Sequence, residues 1–416
     1  MVRISTGTFY DNSIQAMNQQ QSALLNTQLQ LSSGKQINTP ADNPGGAAQV
    51  IDLTQAAGMN TQYQNNITAA QNQMSMASSV LQSITTLVQN VQSTVISANN
   101  AALNNSNRQI LATTLQQQLT QLIGLANSRD GTGNYLFSGT KGSTKPFIVT
   151  SSGVQYQGNS GQQLMQVASG RSMPTNVNGA DLFMNVANGN GYFVTSNTAS
   201  NAGSGVISQG GLASPPPTTT QQGNHYTLTF SIAGGVTTYT VSGTDASGAA
   251  LPAASLPAAN QPYTSGQTIA FNGIQFNIQG QPANGDSFNV APSTHVPIFQ
   301  TLQNLINLLN TPLPAGNSAA SGNFVQQLQT AEGNLNQGLN AILTGNVTLG
   351  TNLGALTNLT ATENSLNIQY QSTLSQIQDT NYTSALSLLS QEKLSLQAAM
   401  QSFTSISSLS LFNYLR

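Results

Sequence analysis

Apolar side chains recur along this chain in two rhythms, and each rhythm predicts a different kind of element. Near the end, Tyr382, Leu389, Leu396 and Phe403 fall every seven residues, with Ala385, Ala399 and Ile406 in the slots between. Near the start, Tyr10, Met17, Leu24 and Leu31 keep the same interval. A seven-residue apolar repeat lies along one helix face and predicts a coiled-coil-like seam. A third such pattern is internal: Ile67, Ala70, Met74, Ala77, Leu81, Ile84, Val88, Val91, Val95 and Ala98 alternate steps of three and four. It predicts a helix from about Ala47 to Asn100, roughly 80 Å long at the α-helical rise. Leu111, Leu115, Leu119, Leu122 and Ala126 predict a second, antiparallel helix ending near Asp130-Gly131.

From Gly133 to about Pro292 the rhythm shortens to alternation, in a stretch rich in Gly, Ser, Thr and Pro. Tyr226–Ile232 and Val236–Val241 flank Gly234-Gly235, and Thr268–Phe271 and Ile274–Ile278 flank Asn272-Gly273; both are hairpin signals. Pro215-Pro216-Pro217 reads as an extended linker between two β subdomains, split near residues 200–220. Helical spacing returns at Ile298, Leu302, Leu305 and Leu309, stops at Pro312 and Pro314, and resumes through Phe324, Leu328, Leu335, Leu339 and Ile342. A glycine-bearing break at Gly345, Gly350 and Gly354 is expected before the last helix.

The expected fold class is multidomain α+β: a long coiled-coil-like helical bundle built from both chain ends, with an all-β insertion. The expected divisions are a terminal helix pair (1–40 with 360–416), a long-helix bundle (41–140 with 293–359) and a β-rich, solvent-facing insertion (141–292). The seam Ile67, Met74, Leu81, Ile84, Val88, Val91 and Val95 is read as intramolecular, closing on Leu111–Ala126. The terminal seams, Tyr10, Met17, Leu24 and Leu31 with Tyr382, Leu389, Leu396 and Phe403, are read as an assembly seam. Burying those eight side chains falls short of the entropy cost of ordering both tails, so partner molecules are expected to complete the burial.

Composition sharpens this reading. Charged residues are 5% of 416, and the net charge is −2. No Lys or Arg lies between Arg171 and Lys393, so neither a basic groove for nucleic acid nor a polybasic membrane patch is expected. A net charge near zero removes long-range repulsion between copies and favours association. There is no Cys, hence no disulfide or thiol chemistry. No apolar run reaches the length of a membrane span, and the first fifteen residues lack the apolar core of a cleaved signal. His225 and His295 have no second ligand at metal spacing, and no His-Glu-x-x-His or phosphate-binding glycine loop occurs. Surface or junction packing is the reading for both histidines, and no catalytic residue, cofactor or metal is expected. Asp42 and Asn43 suit a helix cap before Ala47.

Some of these residues form motifs. Leu31-Ser-Ser-Gly-Lys35 followed by Asn38, Asp42, Pro44, Gly45 and Ala47 resembles the N-terminal signature of the bacterial flagellin family. Asn134-Tyr-Leu-Phe-Ser-Gly139 leading to Lys145-Pro-Phe147 is similar to the hook-associated branch of that family. So is Phe271–Phe276 with Gly280, Pro282, Gly285, Asp286 and Phe288. The apolar ending Ser410–Leu415 fits the same family. One departure is the uncharged run Gly350-Thr-Asn-Leu-Gly354, where the family usually carries Arg.

The resemblance implies a structural, non-enzymatic part of the bacterial flagellum. Its terminal helices would line an inner tube. It would join hook-associated protein 1 to the flagellin filament by helical copolymerisation with its own copies. The resemblance also implies type III export without a cleaved signal peptide, and an export chaperone on the C-terminal helix. Two other readings stay open: flagellin itself, the bulk filament subunit, and an enzyme or adhesin carried by the β insertion.

Overall fold

The computed structural model describes residues 6–100, 102–218 and 221–408; the ending Ser410–Leu415 and the side chain of Ile406 lie outside them. The helices are α1 (Thr6–Ser33), α2 (Pro44–Ala98), α3 (Asn105–Ala126), α4 (Gly179–Phe183), α5 (Ile298–Asn310), α6 (Ser318–Gln378) and α7 (Tyr382–Ser408). All strands fall between α3 and α5, which makes the fold α+β with the β structure inserted between helices drawn from both ends. The chain divides into two compact units. One comprises Met1–Ile67, Val167–Ser169 and Asn358–Arg416; the other comprises Thr68–Gln166 and Gly170–Thr357.

The second unit holds the apolar core. Met74, Leu81, Ile84, Val88, Val91 and Val95 of α2 are buried, as are Leu328, Leu335, Ile342, Leu349 and Leu356 of α6. Neutral side chains join the two helices: Ser78 to Asn346 at 2.7 Å, and Gln92 Nε2 donating to Asn336 Oδ1 at 2.7 Å. Helix α3 packs on α5, with Leu115, Leu119 and Leu122 buried on one and Leu302, Leu305 and Leu309 on the other. Asn104 caps α3 by accepting from the Asn107 N–H at 2.8 Å.

The β structure begins with the hairpin β1 (Phe147–Thr150) and β2 (Gly153–Tyr156) and the pair β3 (Leu164–Ala168) and β4 (Arg171–Pro174). Next come β5 (Val186–Ala187), β6 (Phe193–Asn197), β7 (Val206–Ile207), β8 (Gly211–Leu212), β9 (His225–Ala233) and β10 (Val236–Thr244). The remainder are β11 (Gln261–Pro262), β12 (Thr268–Phe271), β13 (Ile274–Gln279), β14 (Ser287–Pro292) and β15 (His295–Val296). A five-stranded sheet runs β11-β10-β9-β14-β6, and a smaller one runs β12-β13-β7 with β8 also on β13. Alternate side chains, Tyr226, Leu228 and Phe230 of β9 and Ile274, Phe276 and Ile278 of β13, enter one shared core. The two-residue turns stand where the dipeptides predict them. Val236 pairs with Ala233 across Gly234-Gly235, and Asn272 and Gly273 both take positive φ, 48° and 79°.

Two sequence expectations need correction. Strands on both sides of Pro215-Pro216-Pro217 share sheets, since β6 pairs with β14 and β7 with β13. The prolines therefore cross between strands, packed against Gly273, and do not separate subdomains. Nor is there a break at Gly345, Gly350 and Gly354: α6 runs unbroken to Gln378. Helix interiors tolerate glycine where a neighbour comes too close for a Cβ, and a Cβ on Gly338 would lie 2.7 Å from Ile298, on Gly345 2.4 Å from Leu182. Gly350 and Gly354 meet nothing. The double change Gly350→Ala, Gly354→Ala should stabilise the free chain by about 2 kcal/mol in urea unfolding, from helix propensity alone.

The Asn134–Phe147 motif is explained by an aromatic hub. Phe147 lies 5.4 Å from Phe183 and 5.2 Å from Phe299, and Phe137 lies 5.6 Å from Phe183, several of them edge to face. The hub ties β1 to α4 and α5. Asn127, just past α3, adds hydrogen bonds to both the N–H and the carbonyl of Phe147, at 3.0 and 2.9 Å. Farther out, the buried Asp286 carboxylate accepts from the N–H groups of Ala202 (2.7 Å), Gly203 (3.0 Å) and Ala283 (2.7 Å), stapling two loops together. Asp286→Ala strands those donors and should lower unfolding stability by about 2–4 kcal/mol, with the urea midpoint falling.

Candidate assembly surface

The first unit is two antiparallel helix pairs, α1 with α7 and the early part of α2 with the late part of α6, joined by a short double crossing. Helix α1 ends at Ser33, and Gly34 follows with φ 71°, the left-handed stop that favours glycine. There the two chain segments bond to each other. The Gln36 N–H donates to the Gln378 carbonyl at 2.6 Å, and the Thr380 N–H donates to the Gly34 carbonyl at 2.9 Å. Asp42 closes the loop by accepting from the N–H groups of Thr39 (2.7 Å) and Asn38 (3.0 Å). Asn43 caps α2 through the Gly46 N–H at 2.9 Å, with Pro44 at the first helical position, where its missing N–H costs nothing. Asn381 caps α7 in the same way, through Ser384. The Leu31–Ala47 signature is therefore a joint: Ser32, Ser33 and Asn43 bond backbone groups that the helix ends leave open, and Asn38 and Asp42 bond the loop between them.

The eight residues read as the terminal seam fall on this α1–α7 pair. Tyr10 and Phe403 meet edge to face at 5.5 Å. Met17, Leu24, Leu31, Leu389 and Leu396 are half-buried, while Tyr382 is exposed. The structure adds a second apolar set that no seven-residue pattern marked. Leu25, Leu29, Leu386 and Leu394 stand on the outside of the pair, from 52% to 68% exposed, with Ile14, Leu388 and Met400 also exposed. Ile51, Met59, Leu366 and Ile368 are exposed on α2 and α6 of the same unit. Among the described residues, the large apolar side chains this unit buries are Ile37, Tyr63, Ile67 and Val167. Scattered surface leucines are ordinary, but a unit that exposes more large apolar side chains than it buries has an incomplete core.

Where α2 and α6 meet in this unit the contact is polar. Glu363 is 4% exposed and accepts a hydrogen bond from Asn60 Nδ2. Gln64 Nε2 donates to Asn60 Oδ1 at 3.2 Å and lies 3.2 Å from Asn364 Oδ1. Such a buried polar layer adds specificity more than stability.

His225 and His295 lie exposed on β9 and β15. Among the described residues no three metal-ligating side chains cluster, and no helix is long and apolar enough to cross a membrane.

Comparison with known proteins agrees with this geometry in two steps. Residues 4–142, the first third of the chain, match the model of the bacterial flagellin N-terminal helical region. The particular likeness is to flagellar hook-associated protein 3. The chain is 31% identical to that protein of Salmonella typhimurium over 185 residues, 44% of this chain and 58% of that one. It therefore spans less than two thirds of the length of the curated relatives it matches. The fold is also similar to flagellar hook associated protein-3 from Legionella pneumophila (TM-score 0.71, 27% identity, 78% of this chain and 98% of that chain). Similarity extends to Xanthomonas campestris FlgL (TM-score 0.68, 25% identity, 78% and 99%).

The joint carries a pH signature. The Thr39 N–H above all holds the Asp42 carboxyl below its ordinary value, with that of Asn38 adding to it. A depressed folded pKa contributes stability above the unfolded value of about 3.9, and that stability is lost as pH falls through the folded value. The Thr39 amide proton should titrate with a midpoint below about 3.9 by NMR, and Asp42→Asn should abolish the step.

Proposed function

We propose that this chain is a structural adaptor of the bacterial flagellum that joins hook-associated protein 1 to the flagellin filament. It acts by helical copolymerisation through its terminal helices, not by catalysis. The observation that carries the reading is the first unit: two long helix pairs whose apolar side chains are more exposed than buried. Copies stacked around an axis would cover those faces, a heterologous contact that does not close and so builds a helical array. The names borne by the similar proteins support the same role.

In this reading residues 1–40 and 360–416 line the inner tube, 41–140 and 293–359 form the shell around it, and 141–292 face solvent. Tyr10, Met17, Leu24, Leu31, Tyr382, Leu389, Leu396 and Phe403 are the assembly seam, whose burial neighbouring copies complete. The outer leucines, Leu29 and Leu394 among them, make the contacts to neighbours. The chain leaves the cell by type III export without a cleaved signal, with an export chaperone holding the apolar face of α7 until release. Nucleic acid and membrane are not partners.

The test is complementation of a strain lacking the gene. The wild-type chain restores attached filaments. Leu29→Ser with Leu394→Ser leaves the secreted chain folded by circular dichroism, yet flagellin is shed into the medium and motility falls at least tenfold. Attached filaments at wild-type numbers contradict the proposal. Long filaments grown from the purified chain alone favour the bulk-subunit reading instead.

A further inference from the structure

One charged side chain stands inside the terminal seam. Along α7 the inward stripe runs Ala385, Leu389, Glu392, Leu396, Ala399 and Phe403, in steps of four and three, every member buried or half-buried. On α1 the slots between Tyr10, Met17, Leu24 and Leu31 hold the polar Ser13, Gln20 and Thr27. The Tyr10–Phe403 ring contact and the bond from the Thr380 hydroxyl to the Gln30 carbonyl, 3.2 Å, set the two helices antiparallel. That register puts Glu392 near the level of Gln20, in the middle of the pair. Its Oε2 is buried and accepts no hydrogen bond. Lys393, the next residue, is exposed, and adjacent residues of a helix do not share a face. Among the described residues of this unit the remaining Lys or Arg is Lys35, which stands at the joint beside Asp379, roughly 20 Å along α1 from Gln20. Other buried carboxylates of the chain are matched: Glu363 accepts from Asn60, and Asp286 from three N–H groups.

We propose that Glu392 is a built-in brake on closure of the terminal pair. A carboxylate oxygen withdrawn from water without a partner raises the free energy of the state that withdraws it. Here that state is the closed α1–α7 pair, because α1 is the helix packed on this stripe. Coiled coils use a polar group in the seam in the same way, restricting which pairings form at a cost in stability. The brake keeps α1 and α7 from locking together in the free chain, so their apolar faces stay available to neighbouring copies. The use made of those faces rests on the adaptor reading; the brake itself does not.

The experiment is amide hydrogen exchange on the soluble full-length chain, read peptide by peptide along α1 and α7. Glu392→Leu, which fills the gap in the apolar stripe, slows exchange in both helices at least tenfold and leaves α3 and α5 unchanged. Glu392→Gln, which removes the charge and keeps the shape, slows it about threefold. Gln391→Leu, which adds the same apolar side chain at the exposed neighbouring position, changes it less than twofold. Unchanged exchange in Glu392→Leu, or equal slowing by Gln391→Leu, overturns the proposal. In the strain lacking the gene, Glu392→Leu lowers the number of attached filaments at least fivefold; slowed exchange with wild-type filament numbers overturns the part the brake plays in assembly. Slowed exchange in Glu392→Leu, together with wild-type filaments from the Leu29→Ser, Leu394→Ser chain, refutes the adaptor contacts and leaves the brake standing.

Discussion

A helix seam is stabilising only as far as its apolar stripe finds a facing surface. The two units of this chain differ in how far that condition is met. In the second, the stripes of α2 and α6 are buried, and the aromatic hub around Phe147 binds the β insertion to α4 and α5. In the first, Tyr10 and Phe403 close one line of contact while Leu25, Leu29, Leu386 and Leu394 remain open on the outside. The second unit thus has a filled apolar core, whereas the first leaves more large apolar side chains exposed than it buries.

With so few charges, specificity passes to neutral groups. Coiled coils commonly set register with ion pairs beside the seam. Here Ser78 with Asn346, Gln92 with Asn336 and Gln64 with Asn364 occupy that role, and asparagines cap α2, α3 and α7. Amide and hydroxyl pairs are not screened by salt as exposed ion pairs are, so contacts of this kind hold over a wide range of ionic strength. Two carboxylates serve as acceptors for backbone N–H groups at loops, Asp42 at the joint and Asp286 in the β region.

Periodicity made the helices legible because 3.6-residue spacing leaves a trace in any long amphipathic helix, and turn dipeptides such as Asn272-Gly273 made the hairpins legible because few residues accept positive φ. Gly345, Gly350 and Gly354 misled because local propensity argues for a break; the approach of Leu182, distant in sequence, accounts for Gly345, and nothing in the structure accounts for Gly350 and Gly354. Pro215-Pro216-Pro217 misled for a related reason: proline stiffens a segment without saying whether it joins domains or crosses between strands. The outer leucines of α1 and α7 were not marked by the seven-residue pattern, since that pattern selects the face a helix turns to its partner. Their role became visible only once exposure set them apart from Met17, Leu24, Leu389 and Leu396.

Amide hydrogen exchange, followed along the whole chain before and after incorporation between hook and filament material, tests the central claim most directly. The account predicts that α1 and α7 exchange rapidly in the free chain and become protected on incorporation, while α3, α5 and the β9–β14 sheet are protected in both states. Equal, strong protection of α1 and α7 in the isolated chain, unchanged on incorporation, would contradict it.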